Sequence, residues 1–339
     1  MRILTWLALA LVVAGPAWAQ AVLDVAAVPN LPAATRRMYE TFLIAGVPRA
    51  FALSPGGQAG WQSGGTLETA REKALASCAA KKGVGCAIYA ENLQVVWQGR
   101  APETLASVPG PLFGGDGWEF VPDQRYFWHG PAKARGVYVF GHGKASDAQG
   151  NRDSRGIQPH SYVRYFNNNG FDVVRFDRAP ATDLTDRAAD WLREGLRKIR
   201  AQGYRMVIVG GQSRGAWNSL QILDTPNLAD AVIAVSAATN GTDAGLQAGR
   251  GMAEIYRIFS RAHAPTTRVA IAQFRDDPYE HEPDKRLSLA DELLRPQVAS
   301  LLTVNQPEGI TGHFGGYSQT FGERYAVKLY RFAVEGVRE

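Results

Sequence analysis

Short apolar runs alternate with amphipathic stretches along the larger part of this chain. Residues 136–140, 171–176, 206–209, 232–235, 269–274 and 301–304 are runs dominated by β-branched, aromatic and aliphatic side chains. Runs without a strict polar alternation suit strands that are covered on both faces. Between them, residues 185–201 place Ala188, Leu192, Leu196 and Ile199 on one side at helical spacing. Residues 162–166 and 323–334 read as further helices. This order predicts an α/β fold, a mostly parallel sheet with helices on both faces.

The region before it has another texture. Residues 50–53 read as a strand that ends at the turn residues Ser54, Pro55, Gly56 and Gly57. A second short strand holds Trp61 and stops at Gly64 and Gly65. Thr66 is placed to cap a helix whose apolar side carries Leu67, Ala70, Ala74 and Leu75. Residues 86–90 and 93–97 read as strands on either side of Glu91 and Asn92. The expected organisation is a small α+β domain over 20–105, a Pro- and Gly-rich linker over 106–117, and the α/β domain over 118–339. No internal repeat or low-complexity tract interrupts it.

The N-terminus adds a destination. Arg2 precedes an apolar run over 3–13, and Ala17-Trp18-Ala19 follows. The run is short for a bilayer span, and small residues stand where a signal peptidase cuts. Residues 1–19 therefore read as a signal peptide, with an uncleaved anchor as the competing reading. The expected location is periplasmic or extracellular, with no stable membrane span after cleavage. The two cysteines, Cys78 and Cys86, fit a structural disulfide in an exported protein. They lack the further ligands of a metal site and the spacing of a redox pair.

Composition narrows the classes. Hydrophobic residues at 45% and charged residues at 20% exclude a disordered chain and a multi-span membrane protein. The net charge of +5 comes from scattered basic residues, so nucleic-acid binding is not expected.

The segment Phe51-Ala52-Leu53-Ser54-Pro55, the pair Gly60-Trp61, the helix with Cys78 and the strand Cys86-Ala87-Ile88-Tyr89-Ala90 resemble a small disulfide-bearing domain of unknown function found in exported bacterial proteins. That resemblance implies no activity.

The chemistry lies further on. Gly211-Gln212-Ser213-Arg214-Gly215 stands between the strand over 206–209 and a helix over 216–223. A Gly-x-Ser-x-Gly turn in that setting holds its serine in a strained geometry above the sheet. The bland reading is a glycine-rich turn with a capping serine. From this motif and the strand order, residues 118–339 resemble an α/β-hydrolase. The resemblance implies a Ser213 nucleophile, an acid after a late strand and a histidine after the last one. Arg275-Asp276-Asp277-Pro278 follows the strand over 269–274, and the acid of the family often precedes a proline. Asp277 is therefore the expected acid and Asp276 the alternative, with turn chemistry competing for either. Glu280, Glu282 and Asp284 are expected to be solvated.

His313, in Gly312-His313-Phe314-Gly315-Gly316, has the chain position of the base; His129, His142, His160, His263 and His281 do not. Gly141-His142-Gly143-Lys144 follows the strand over 136–140. The resemblance implies that the N–H of Lys144 or Gly143, with that of Arg214, forms an oxyanion hole. Gln212 and Arg178 are expected as substrate contacts at the site mouth. Residues 236–263 suit either a lid or an ordinary helix on the sheet. No cofactor and no metal are implied. The expected activity is hydrolysis of a small-molecule or polymer carboxylic ester. A serine peptidase or amidase, and a non-catalytic envelope-binding protein, are the alternatives.

Overall fold

The computed structural model describes residues 21–99, 103–144, 154, 156–179, 186–238, 244–280 and 282–337, with the backbone alone for 244–248. The expected signal peptide lies outside the described residues.

The N-terminal part is built on a four-stranded antiparallel sheet. Helix α1 (Ala33–Ile44) precedes strands β1 (Arg49–Leu53) and β2 (Ala59–Ser63). Helix α2 (Leu67–Ala80) follows, then β3 (Ala87–Glu91) and β4 (Gln94–Val95), in the sheet order β2-β1-β3-β4. The two faces follow from the period of two along β1. Ala50 and Ala52 point to Ala70, Ala74 and Cys78 of α2. Phe51 and Leu53 point to Tyr39 and Phe42 of α1. Small side chains on one face let α2 approach closely; a Cβ on Gly60 would stand 2.5 Å from the Ala74 carbonyl oxygen. Thr66 Oγ1 accepts from the Thr69 N–H and starts α2, as its position in the sequence suggests. The Cys78–Cys86 disulfide ties the last turn of α2 to the entry of β3. Helix α1 was not part of the sequence expectation. It completes this core from its N-terminal side.

The larger part is an eight-stranded sheet. Its strands are β5 (Phe113–Gly115), β6 (Trp118–Pro122), β7 (Gly136–Gly141), β8 (Phe171–Arg178), β9 (Val207–Gln212), β10 (Ala231–Val235), β11 (Ala264–Gln273) and β12 (Val298–Asn305). Their order is β12-β11-β10-β9-β7-β8-β6-β5. From β8 through β12 every pairing is parallel, and β6 alone runs against its neighbours. Helices α4 (Arg187–Ala201), α5 (Arg214–Gln221) and α6 (Ala244–Arg261) cover one face. Helices α3 (Ser161–Asn168) and α8 (Gln319–Tyr330) cover the other. Leu192, Leu196 and Ile199, read as one helical face, are all buried in the first of these cores. A short helix α7 (Pro283–Leu289) lies between β11 and β12.

Two expectations change, and one alternative narrows. The segment 106–117 is more than a linker, because it carries β5, which pairs with β6 at the sheet edge. The boundary between the two parts is also not clean. Phe127 enters the core around Tyr39 and Phe51, and Asn168 of α3 donates to the Leu43 carbonyl of α1 at 2.9 Å. Within 236–263, α6 buries Ile255, Ile258 and Phe259 in the main core, so this part of the stretch packs on the sheet as a helix. Residues 239–243 lie outside the described residues.

Candidate active site

Strands β7, β8, β9, β10, β11 and β12 all end at one edge of the sheet, where open α/β sheets bind ligands. The elbow lies at its centre. Ser213 stands between β9 and α5 with φ 55° and ψ −118°, a left-handed conformation costly for a residue with a Cβ. The flanking glycines are required by close approach. A Cβ on Gly211 or on Gly215 would overlap the Gly141 carbonyl oxygen at the end of β7. The strained residue is held by its backbone. Its N–H donates to the Val235 carbonyl at 3.1 Å, and its carbonyl accepts from Trp217 at 2.9 Å and Ala238 at 3.2 Å. Its side chain remains partly exposed.

The two aspartates after β11 part company. Asp276 has φ 59° and points to solvent; that turn sends the next residue inward. Asp277 is 3% exposed and accepts from the Tyr279 N–H at 2.9 Å. Both of its oxygens lie 2.9 Å from His313 Nδ1. A carboxylate there fixes the Nδ1–H tautomer and leaves Nε2 as an acceptor. His313 is 6% exposed, with the Tyr279 ring 4.3 Å away. The loops that carry Asp277 and His313 are joined, since the Gly312 N–H donates to the Arg275 carbonyl at 2.8 Å. Gly315 lets the histidine loop lie on Phe274; a Cβ there would stand 2.8 Å from the ring.

Gln212 links this pair to the elbow, donating from Nε2 to the His313 carbonyl at 3.3 Å. Gln212 is 3% exposed, so it braces the loop and does not face the site mouth as expected. No hydrogen bond among the described residues joins the Ser213 hydroxyl to the His313 ring. Catalytic hydrogen bonds of this kind are often long before substrate binds.

The Gly141-His142-Gly143-Lys144 turn lies against the serine. A Cβ on Gly143 would stand 3.3 Å from Ser213 Cβ. His142 is buried and its Nδ1 is 2.6 Å from the Gly143 carbonyl oxygen. Lys144 is exposed, and the Arg214 side chain is buried at the start of α5. Arg178 departs most from expectation. It is fully buried, and donates to the His142 carbonyl at 2.8 Å and to the Gly143 carbonyl at 3.3 Å. Its guanidinium holds the turn from below and is not exposed at the mouth.

Sequence reasoning missed a second charged pair. Glu280 was expected in solvent, yet it is buried, with Arg286 Nε 2.8 Å from its Oε1. Burial pushes the Glu280 carboxyl up to about 7; Arg286 pulls it down and Asp277 pushes it further up. Arg286 also donates to the Ala237 carbonyl at 2.6 Å, beside the loop that receives the Ser213 carbonyl. Nothing local in the sequence marks these two residues, because their burial comes from α7 folding back over the β10 exit. Of the remaining histidines, His160 is fully buried and pushed down to about 3 by desolvation, its ring 4.2 Å from that of Tyr317. His281 lies outside the described residues.

No protein-family model and no curated protein matches this sequence. Among solved structures it is similar to an esterase of Pyrococcus furiosus, with 14% identity over 66% of this chain and 87% of that one, and a TM-score of 0.46. It is also similar to a puromycin-hydrolyzing peptidase of Mycobacterium tuberculosis, with 15% identity, 71% and 44% coverage and a TM-score of 0.45. Esterase 2 of Thermogutta terrifontis gives 16% identity, 64% and 89% coverage and a TM-score of 0.44. The strand order itself is more telling than these distant likenesses. With a single antiparallel strand, β6, second in from the edge, and a serine turn after the central β9, the chain has the α/β-hydrolase fold.

Proposed function

We propose that this protein is an exported serine hydrolase that cleaves carboxylic esters through Ser213, His313 and Asp277. The observation that carries the reading is the buried His313–Asp277 pair, braced through Gln212 against the strained Ser213 turn. His313 Nε2 takes the Ser213 proton as Oγ attacks the acyl carbonyl. Asp277 holds the imidazole by Nδ1 and stabilises the imidazolium. The N–H of Arg214, with that of Gly143 or Lys144, receives the oxyanion. The imidazolium returns its proton to the departing alcohol, leaving an acyl-enzyme. Water then attacks with the same histidine as base.

Export is supported by the Cys78–Cys86 disulfide. No helix among the described residues is long and apolar enough to cross a membrane. In this reading residues 1–19 are removed on export, and the N-terminal α+β part travels with the hydrolase part.

A fluorophosphonate probe tests the nucleophile. The mature protein is expected to label and Ser213→Ala to stay unlabelled; a folded wild type that does not label overturns the enzyme reading. Esters and amides share the triad chemistry. Turnover of p-nitrophenyl esters in preference to aminoacyl anilides is expected, and the reverse would make this a peptidase or amidase.

A further inference from the structure

Arg178 reaches the turn before the serine from the neighbouring strand. In the β7–β8 ladder Gly141 pairs with Phe176, so Arg178 lies two residues beyond, beside His142 and Gly143. Its guanidinium is fully buried, and two of its nitrogens donate to the carbonyls of His142 and Gly143. The Gly143 carbonyl has a second partner in His142 Nδ1, at 2.6 Å. A carbonyl cannot donate, so Nδ1 carries the proton in that contact.

These contacts fix directions. The carbonyl and N–H of one trans peptide point to opposite sides. Holding the His142 carbonyl toward Arg178 turns the Gly143 N–H away from it, and holding the Gly143 carbonyl does the same for the Lys144 N–H. The turn lies against Ser213, as the Gly143 contact with Ser213 Cβ requires. A turn with two glycines is otherwise free to flip either peptide. A planar guanidinium that meets two adjacent carbonyls removes that freedom.

We infer that Arg178 is a positioning residue of the oxyanion hole: a buried guanidinium clamp that keeps the Gly143 and Lys144 N–H groups aimed at the reacting carbonyl. The inference rests on the serine-hydrolase reading. The charge polarises both peptides, which makes their N–H groups stronger donors when the oxyanion forms.

The experiment compares the wild type with Arg178→Lys and Arg178→Met on an activated ester and on its thionoester. Folding is checked by circular dichroism and thermal melting. A thionocarbonyl accepts weakly from N–H groups and gains little from an oxyanion hole. Loss of one oxyanion donor typically costs about 10²–10³ in kcat. A misaimed hole should cost less, and kcat for the ester is expected to fall about 10- to 100-fold in Arg178→Met, with KM within about two-fold. Arg178→Lys, which can reach only one carbonyl, should be intermediate. The preference for ester over thionoester should shrink in step. Should Arg178→Met fail to fold, Arg178→Lys carries the same comparison. A folded variant with unchanged kcat, or with equal losses on both substrates, overturns the clamp while leaving the hydrolase reading intact. A wild type that neither labels with fluorophosphonate nor turns over either ester overturns both.

Discussion

Asp276 and Asp277 are chemically identical neighbours that the backbone separates. The left-handed φ at Asp276 costs little for an aspartate and turns the next side chain inward, where His313 Nδ1 waits. Asp277→Asn should therefore lower kcat by about 10⁴, the loss seen when a triad carboxylate becomes an amide and the tautomer is no longer held. Asp276→Asn should keep kcat within a few-fold. Steady-state kinetics on one ester decides, and a larger loss for Asp276→Asn would reverse the assignment. The proline after Asp277 and the glycines around His313 were legible as loop chemistry. The proline favoured Asp277 over Asp276, but the turn that separates them was not legible, because it depends on one dihedral angle. Glu280 makes a second case. Its carboxyl titrates near 7 in the folded protein against 4.5 for a free glutamate, because burial disfavours the charge. Between those pH values the folded state holds a proton that the unfolded state has released. Stability contributed by this group is thus full below pH 4.5 and is lost as pH rises through 7. The shift is worth about 3 kcal/mol. Urea denaturation at pH 5 and pH 8 should show a smaller stability difference for Glu280→Gln than for the wild type. An equal difference in both would remove Glu280 as its source.

At the scale of elements, the elbow depends on three backbones meeting. Strand β9, helix α5 and the end of β7 converge so closely that Gly211 and Gly215 have no room for a methyl group. By contrast Gly249, within α6, has nothing near its absent Cβ and is exposed. Gly215→Ala should lower stability by about 1–3 kcal/mol, the cost of overpacking a tight contact. Gly249→Ala should raise it by about 1 kcal/mol through helix propensity. Thermal melts of the two variants check both signs. If both alanines are tolerated alike, the three backbones are not in the contact described. Hydrophobic periodicity located the central strands well because buried parallel strands are nearly all apolar. It missed α1, whose apolar Tyr39, Phe42 and Leu43 sit among Arg36, Arg37 and Glu40. It also missed β5, where two glycines leave only Phe113 to mark a strand.

For the whole molecule, the N-terminal part is welded to the α/β part. Phe127 lies in the N-terminal core, and Gln158 Oε1 accepts from the Val47 N–H at 3.2 Å. Replacing both cysteines by serine opens a cross-link of sequence separation 8, and should cost about 2–3 kcal/mol. Because the two parts share side chains, calorimetry should still record one transition. Two separate transitions would mean that the parts unfold independently.

The central parallel strands, the place of the serine turn and the chain position of His313 were written in the sequence, as local spacing and residue type. Ser213 stood out because strand, glycine and helix signals coincide within a few residues. The partners of Arg178 and Glu280 were not legible. Arg178 read as a residue of the mouth and Glu280 as solvated, since an isolated charged residue is most often exposed. Only the tertiary structure put Arg178 beneath the turn and Glu280 against Arg286. The physical reason is range: periodicity and turn chemistry act over a few residues. The pairing of a guanidinium with a carbonyl 36 positions away is set by how strands line up across the sheet.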